Sequence, residues 1–225
     1  REICNDILND AVDLSEVDAT KEIAKKLPMR MLGRVVGTPD EDAEWLVSRG
    51  DAMIANSDPD FTDHVIDKVD TDEYRFLPFR SPAGKEIYDY GEKQKKLREN
   101  HNMGDVMSML LQPDKQGDKL SDLEFKNFFA LMVAAGNDTT RYTMASSMHA
   151  LANNPYIFDY LKSAPDDAPI WLSATEEFIR WASPTMHFRR TATEDYKLHN
   201  KKIKEGDKVA IWFTSGNYDE RKFSN

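Results

Sequence analysis

The chain has 225 residues and carries 40 Asp and Glu against 30 Lys and Arg, a net charge of −10 with histidine neutral. That length is enough for one large domain or part of a larger one, and a pI near 5.0 disfavours nonspecific nucleic-acid binding, which needs clustered cations. The single cysteine, Cys4, excludes an internal disulfide and a four-thiolate zinc site and fits a reducing compartment.

The longest apolar stretch, Phe128 to Gly136, falls short of the roughly 20 residues of a membrane helix. The first residue is Arg and no targeting pattern precedes the first amphipathic segment, so the ends read as cut. Apolar residues three and four apart predict helices through most of the chain, with no fixed-period repeat. Ile3, Ile7 and Leu8 open the first. Ile23, Leu27, Met31, Leu32 and Val35 mark a second, which Pro28 should break or kink and Gly37-Thr38-Pro39 should end. Thr38 or Asp40 can cap the third, which carries Trp45, Leu46, Met53 and Ile54.

From Asp51 to Arg75 there are eight acidic and two basic residues, followed by a Pro-containing run, which reads as a surface excursion. A calcium loop is disfavoured there, because in the Asp58, Asp60 register Asp63 falls where the turn glycine belongs and Val69 where a bidentate Glu belongs. Ala83 to Asn100 reads as a helix, with Lys93, Lys95, Lys96 and Arg98 making a solvated basic side. Ser121-Asp122-Leu123-Glu124 forms a capping box opening the longest helix, Asp122 to Asn153, whose almost uncharged middle predicts burial on all sides. Asn154-Pro155 restarts the chain, a short helix follows, and Ala174 to Trp181 forms another before Ser183-Pro184. The period then becomes two. Phe188, Arg190 and Ala192, then Val209, Ile211 and Phe213, predict short strands flanking Glu205-Gly206-Asp207. The fold class is therefore mainly α with a small β portion.

Three groups of residues could carry chemistry. In the long helix, Ala134-Ala135-Gly136-Asn137-Asp138-Thr139-Thr140 concentrates poor helix formers, which together cost a few kcal/mol relative to alanine. Small Ala135 and Gly136 would let a flat ligand approach, and Asp138 and Thr139 place an acid and an alcohol side by side. Thr139 can also bond back to the Ala135 carbonyl and open the helix, so a kinked structural helix is the competing explanation. Glu177 and Arg180 share a helix face at i, i+3, the spacing of an ordinary surface ion pair. Arg190 follows in Phe188-Arg189-Arg190-Thr191-Ala192-Thr193-Glu194-Asp195. His64, His101, His149, His187 and His199 form no i, i+4 pair, which gives zinc or non-haem iron little support.

In this order, AGNDTT at 135–140, EFIR at 177–180, Pro184, RTATED at 190–195 and the Gly206-Asp207 turn resemble the cytochrome P-450 family of haem-thiolate monooxygenases. LPMRMLGRVVGTPDED at 27–42 extends the resemblance upstream, over nearly the whole chain. It implies that residues 1–225 are one partial catalytic domain with haem b as cofactor. Ala135 and Gly136 would then lie over the haem, Asp138 and Thr139 would relay protons to dioxygen, and Arg190 would hold a propionate. Glu177 and Arg180 would be a buried structural pair, linked to a later arginine, whose loss costs about 3–5 kcal/mol.

Leu131, Ala134, Ala135, Met186 and Phe188 match the family's substrate-pocket positions. All are apolar, so the implied reaction is hydroxylation of an unactivated C–H on a sterol, terpenoid or fatty-acid-like molecule. The wording around 136–141 and 180–195 resembles soluble bacterial members acting on sterol side chains and terpenoids. The implied partners are O2, a ferredoxin and its NAD(P)H-dependent reductase, in the cytoplasm. The family's ligand is a cysteine in a Gly-flanked loop, expected beyond Asn225, so this chain would carry no metal ligand and be inactive alone; Cys4 lacks the flanking glycines. The other class of reading is an all-α lipid-binding or regulatory domain without redox chemistry.

Overall fold

Ser121 and Glu124 close on each other at the head of the longest helix. The Ser121 N–H donates to Glu124 Oε2 at 2.8 Å, and the Glu124 N–H donates to Ser121 Oγ at 3.3 Å. This reciprocal cap satisfies two of the donors that every helix start leaves without an internal partner. The computed structural model describes residues 1–66, 68–70, 72–99 and 101–223. Its helices are α1 (Glu2–Val12), α2 (Lys26–Val36), α3 (Ala43–Ile54), α4 (Pro82–Arg98), α5 (Val106–Leu110), α6 (Asp122–Asn153), α7 (Pro155–Ser163), α8 (Ile170–Ala182) and α9 (Phe213–Asn217). The strands β1 (His187–Thr191), β2 (Tyr196–Leu198), β3 (Lys201–Ile203) and β4 (Lys208–Trp212) form two antiparallel pairs, β1 with β4 and β2 with β3. The chain divides into two compact units, Arg1–Arg141 and Tyr142–Asn225, with the boundary inside α6.

In the first unit, Leu32, Val36, Leu46, Met53, Ile87 and Met107 from α2 to α5 pack with Phe125, Phe129 and Val133 of α6. The last three recur every four residues and keep one stripe of α6 in the core. The uncharged middle of α6 is therefore not buried on all sides, since Phe128 and Leu131 on another face are exposed. The discontinuity expected at Pro28 lies upstream instead, in a wide turn over Thr20–Ala24 where the Lys25 N–H reaches the Thr20 carbonyl at 2.9 Å. Pro28 is the third residue of α2, within the first turn, where proline is tolerated. Neither Thr38 nor Asp40 caps α3. A short 3-10 turn over Asp40–Asp42 leads into it, and the Asp42 carboxylate accepts from the Tyr90 hydroxyl at 2.6 Å.

Between α3 and α4 the chain runs as turns and two short 3-10 segments, Asp72–Tyr74 and Pro78–Arg80, mostly exposed but pinned by buried Val65. Asp67 and Thr71 of this excursion lie outside the described residues, as does Asn100 at the expected end of α4. Arg98 does not belong to a solvated basic side. Its guanidinium donates to Asp105 Oδ2 at 2.9 and 2.8 Å, to Gln94 Oε1 at 2.7 Å, and to the Gly37 carbonyl. Gly37 is left-handed (φ 81°) and ends α2, and a Cβ there would lie 2.0 Å from the Asp105 carboxylate, so only glycine fits the turn and its neighbour together.

In the second unit, Pro155 starts α7 directly after α6, as Asn154-Pro155 predicts. Helix α8 begins about one turn earlier than Ala174, and Ser183 ends it in the left-handed region (φ 43°). Strands β1 and β4 match the period-two expectation, with Arg190 opposite Val209 and Phe188 opposite Ile211. The β2–β3 hairpin was not legible, because Tyr196-Lys197-Leu198 and Lys201-Lys202-Ile203 are too short and lysine-rich to show alternation.

Candidate functional site

In the first unit, the site residues lie on α6. Thr139 Oγ1 donates to the Ala135 carbonyl at 3.1 Å, the back-bond expected of a threonine four residues on. Leu131, 60% exposed, and exposed Ala135 share the face that Thr139 extends by one turn. Ala134, expected beside them in a substrate pocket, instead faces the core with Ala130 and Val133. Position 136 serves helix packing, since a Cβ on Gly136 would come 3.0 Å from Leu32 Cδ1 of α2.

Asp138 is bound to a group that sequence reading did not single out. Arg141 Nη2 donates to Asp138 Oδ1 at 2.5 Å and to Asp51 Oδ1 at 3.4 Å, while Nη1 donates to Asp51 Oδ2 at 3.0 Å. Burial works against the Arg141 charge, but the two carboxylates outweigh it and raise the guanidinium above its ordinary range. The i, i+3 spacing to Asp138 was available as a signal, whereas Asp51 lies 90 residues away and only the packing of α3 on α6 brings it near. The preceding residue, Asn137, is buried.

In the second unit, Glu177 and Arg180 form a forked pair with bonds of 2.7 and 2.6 Å. Arg180 also donates to the Asn217 carbonyl at 2.5 Å, and its guanidinium lies 4.6 Å from the Phe223 ring centroid and 5.6 Å from that of Tyr218. The Arg180 side chain is 18% exposed and that of Glu177 55%. Rings cover the guanidinium, whereas the carboxylate is open to water. Arg180 holds the Glu177 carboxyl below its ordinary value.

Arg190 lies on exposed β1, 5.4 Å from the Phe188 ring on the same strand face, and its guanidinium donates to the Arg189 carbonyl at 3.0 Å. Met186 and Phe188 are exposed, and Phe188 stacks edge-on against Phe213 at 5.5 Å. In the first unit, Leu131 and Ala135 offer an apolar face beside the Thr139 hydroxyl, which suits a flat apolar ligand; in the second, Arg190 offers a guanidinium fork with no carboxylate bonded to it among the described residues, which suits a ligand carboxylate. Among those residues no cluster of three or more His, Cys, Asp or Glu could hold a metal ion, and no helix is long and apolar enough to cross a membrane.

Residues 88–168 match the profile of the family described as Cytochrome P450. A steroid C26-monooxygenase of Mycobacterium tuberculosis is 31% identical over 92% of this chain and 44% of its own length. A methyl-branched lipid omega-hydroxylase of the same species is 33% identical over 93% of this chain and 46% of its own. A Mycobacterium marinum cytochrome P450 solved in complex with pseudoionone superposes with a TM-score of 0.84 at 30% identity, covering 100% of this chain and 52% of that one. The chain thus spans about half the length of the curated relatives it matches. With the family profile, the curated relatives and the solved structure agreeing, the chain belongs to the cytochrome P450 family.

Proposed function

We propose that residues 1–225 form part of one monooxygenase catalytic domain that hydroxylates an unactivated C–H of an apolar sterol, terpenoid or fatty-acid-like molecule. The observation that carries this reading is the back-bonded Thr139 next to Asp138, on a helix face whose neighbours are apolar and exposed. Haem b, when bound, supplies the reduction of dioxygen and the oxidant for the C–H bond. The chain's own residues then have separable tasks.

Asp138, whose carboxylate is 45% exposed, exchanges protons with water, and the Thr139 hydroxyl accepts and donates one proton at Oγ1. Leu131 and Ala135 in the first unit, and Met186 and Phe188 in the second, each offer exposed apolar area to an apolar substrate. Arg190 neutralises a cofactor carboxylate, and Arg180, tied to Glu177 and Asn217, fixes the loop after α9. The relatives named for steroid and methyl-branched lipid oxidation support the substrate class. Electrons would come from a ferredoxin and its NAD(P)H-dependent reductase in the cytoplasm.

Thr139→Ala in the holoenzyme tests the reading. Reductant should still be consumed while product falls about tenfold or more and peroxide is released, a loss typical of removing one proton-transfer group. Unchanged coupling of electrons to product would contradict the role of Thr139.

A further inference from the structure

Arg141 serves two carboxylates with one guanidinium. Its Nη2 is bonded to both Asp138, at 2.5 Å, and Asp51, at 3.4 Å, and its Nη1 completes a fork on Asp51 at 3.0 Å. The three side chains differ in exposure: Asp51 is 13% exposed, Arg141 20% and Asp138 45%. Asp51 is thus the sheltered anchor on α3, Arg141 the pivot on α6, and Asp138 the partner with access to water. The cation that α3 itself carries, Arg49, is paired with Glu86 at 3.5 Å. One positive charge therefore faces two negative ones, and whatever weakens the hold of Asp51 leaves more of the guanidinium to Asp138.

We propose that Arg141 is a positioning residue shared between Asp51 and Asp138, and that Asp51 sets how firmly the Asp138 carboxylate is held. This deepens the proposed function and rests on it. Asp138 must part from Arg141 to carry a proton toward Thr139, so its release is easiest when Asp51 retains the fork. Replacing Asp51 by Asn leaves one neutral acceptor in place of a bidentate anion and turns the fork toward Asp138. Lysine at 141 cannot substitute, because a point-charged ammonium lacks the planar fork that spans two carboxylates.

The test combines a stability cycle with turnover, both in the full-length holoenzyme. Asp51→Asn and Asp138→Asn are near-isosteric, and each leaves Arg141 one carboxylate, so each should raise the unfolding equilibrium constant by only about threefold. The double variant strands a largely buried cation and should exceed the product of the single effects by about tenfold. Simple multiplication of the two effects would overturn the sharing.

Asp51→Asn should also lower kcat by about fivefold with KM unchanged, since Asp51 is positioned to act on Asp138 and not on substrate. Arg141→Lys should lower the ratio of product to reductant consumed, since the ammonium cannot span both carboxylates. Wild-type turnover in Asp51→Asn, with Thr139→Ala still uncoupled, would overturn this proposal and leave the monooxygenase reading standing. Unchanged coupling in Thr139→Ala as well would overturn both, with a non-multiplicative stability cycle then marking the triad as structural only.

Discussion

Two arginine–carboxylate pairs, one in each unit, have the same chemistry and different surroundings. In the first unit, Arg98 and Asp105 are 1% and 9% exposed, and the guanidinium also binds Gln94 and the Gly37 carbonyl. In the second, Arg180 and Glu177 are 18% and 55% exposed, with Asn217 as the additional acceptor. Desolvation makes the first pair costly to break, because either partner left alone is a buried charge without compensation. The carboxylate of the second pair stays in water, where screening and side-chain entropy cancel most of the attraction. Motif recognition points to the second pair, and packing makes the first the one on which this chain's stability depends.

Removing one partner from each pair is the strongest way to break that contrast. Arg98→Met should destabilise the first unit by about 3–5 kcal/mol in chemical denaturation, or prevent its folding, because Asp105, the Gly37 carbonyl and Gln94 all lose the guanidinium and Asp105 becomes a buried charge without a cation. A loss below about 1 kcal/mol would mean that water replaces the guanidinium.

Acid should act on the same pair. Burial pushes the Asp105 carboxyl up, but Arg98 and the Ser108 N–H, bonded at 2.7 Å, outweigh it and leave it below its ordinary value. The pair's contribution is therefore complete above the unfolded value of about 4 and is lost as pH falls below that through the folded value. Unfolding constants measured from neutral pH down to about pH 3 should steepen in that window, and Asp105→Asn should remove the added slope.

Smaller effects sharpen the comparison. Ser121→Ala should cost about 1 kcal/mol by removing the cap of α6. Glu177→Gln should cost at most about 1 kcal/mol in this chain, because its exposed carboxylate regains water. A loss as large as that of Arg98→Met would show that the second pair depends on more than the partners described for it.

The contrast also explains what could be read from sequence. Helix α6 was legible in both position and length, because its start carries a reciprocal Ser121–Glu124 cap and its end meets Asn154-Pro155, and both signals are local. The Thr139 back-bond was legible for the same reason, as it spans four residues. Arg98 was hidden in a run of lysines, and its Gly37 partner is 61 residues away. Asp51 at Arg141 was equally hidden, and Ala134 turned inward because the core stripe of α6 is wider than its four-residue repeat of large side chains indicates. Local geometry writes itself into spacing, whereas contacts made by packing between helices do not.

The most direct test of the proposed chemistry is the spectrum of the full-length protein, reduced and exposed to carbon monoxide. The expected result is the red-shifted Soret band of a haem-thiolate carbonyl. A folded full-length protein that binds no haem would contradict the monooxygenase assignment and leave a lipid-binding domain built on the same helices.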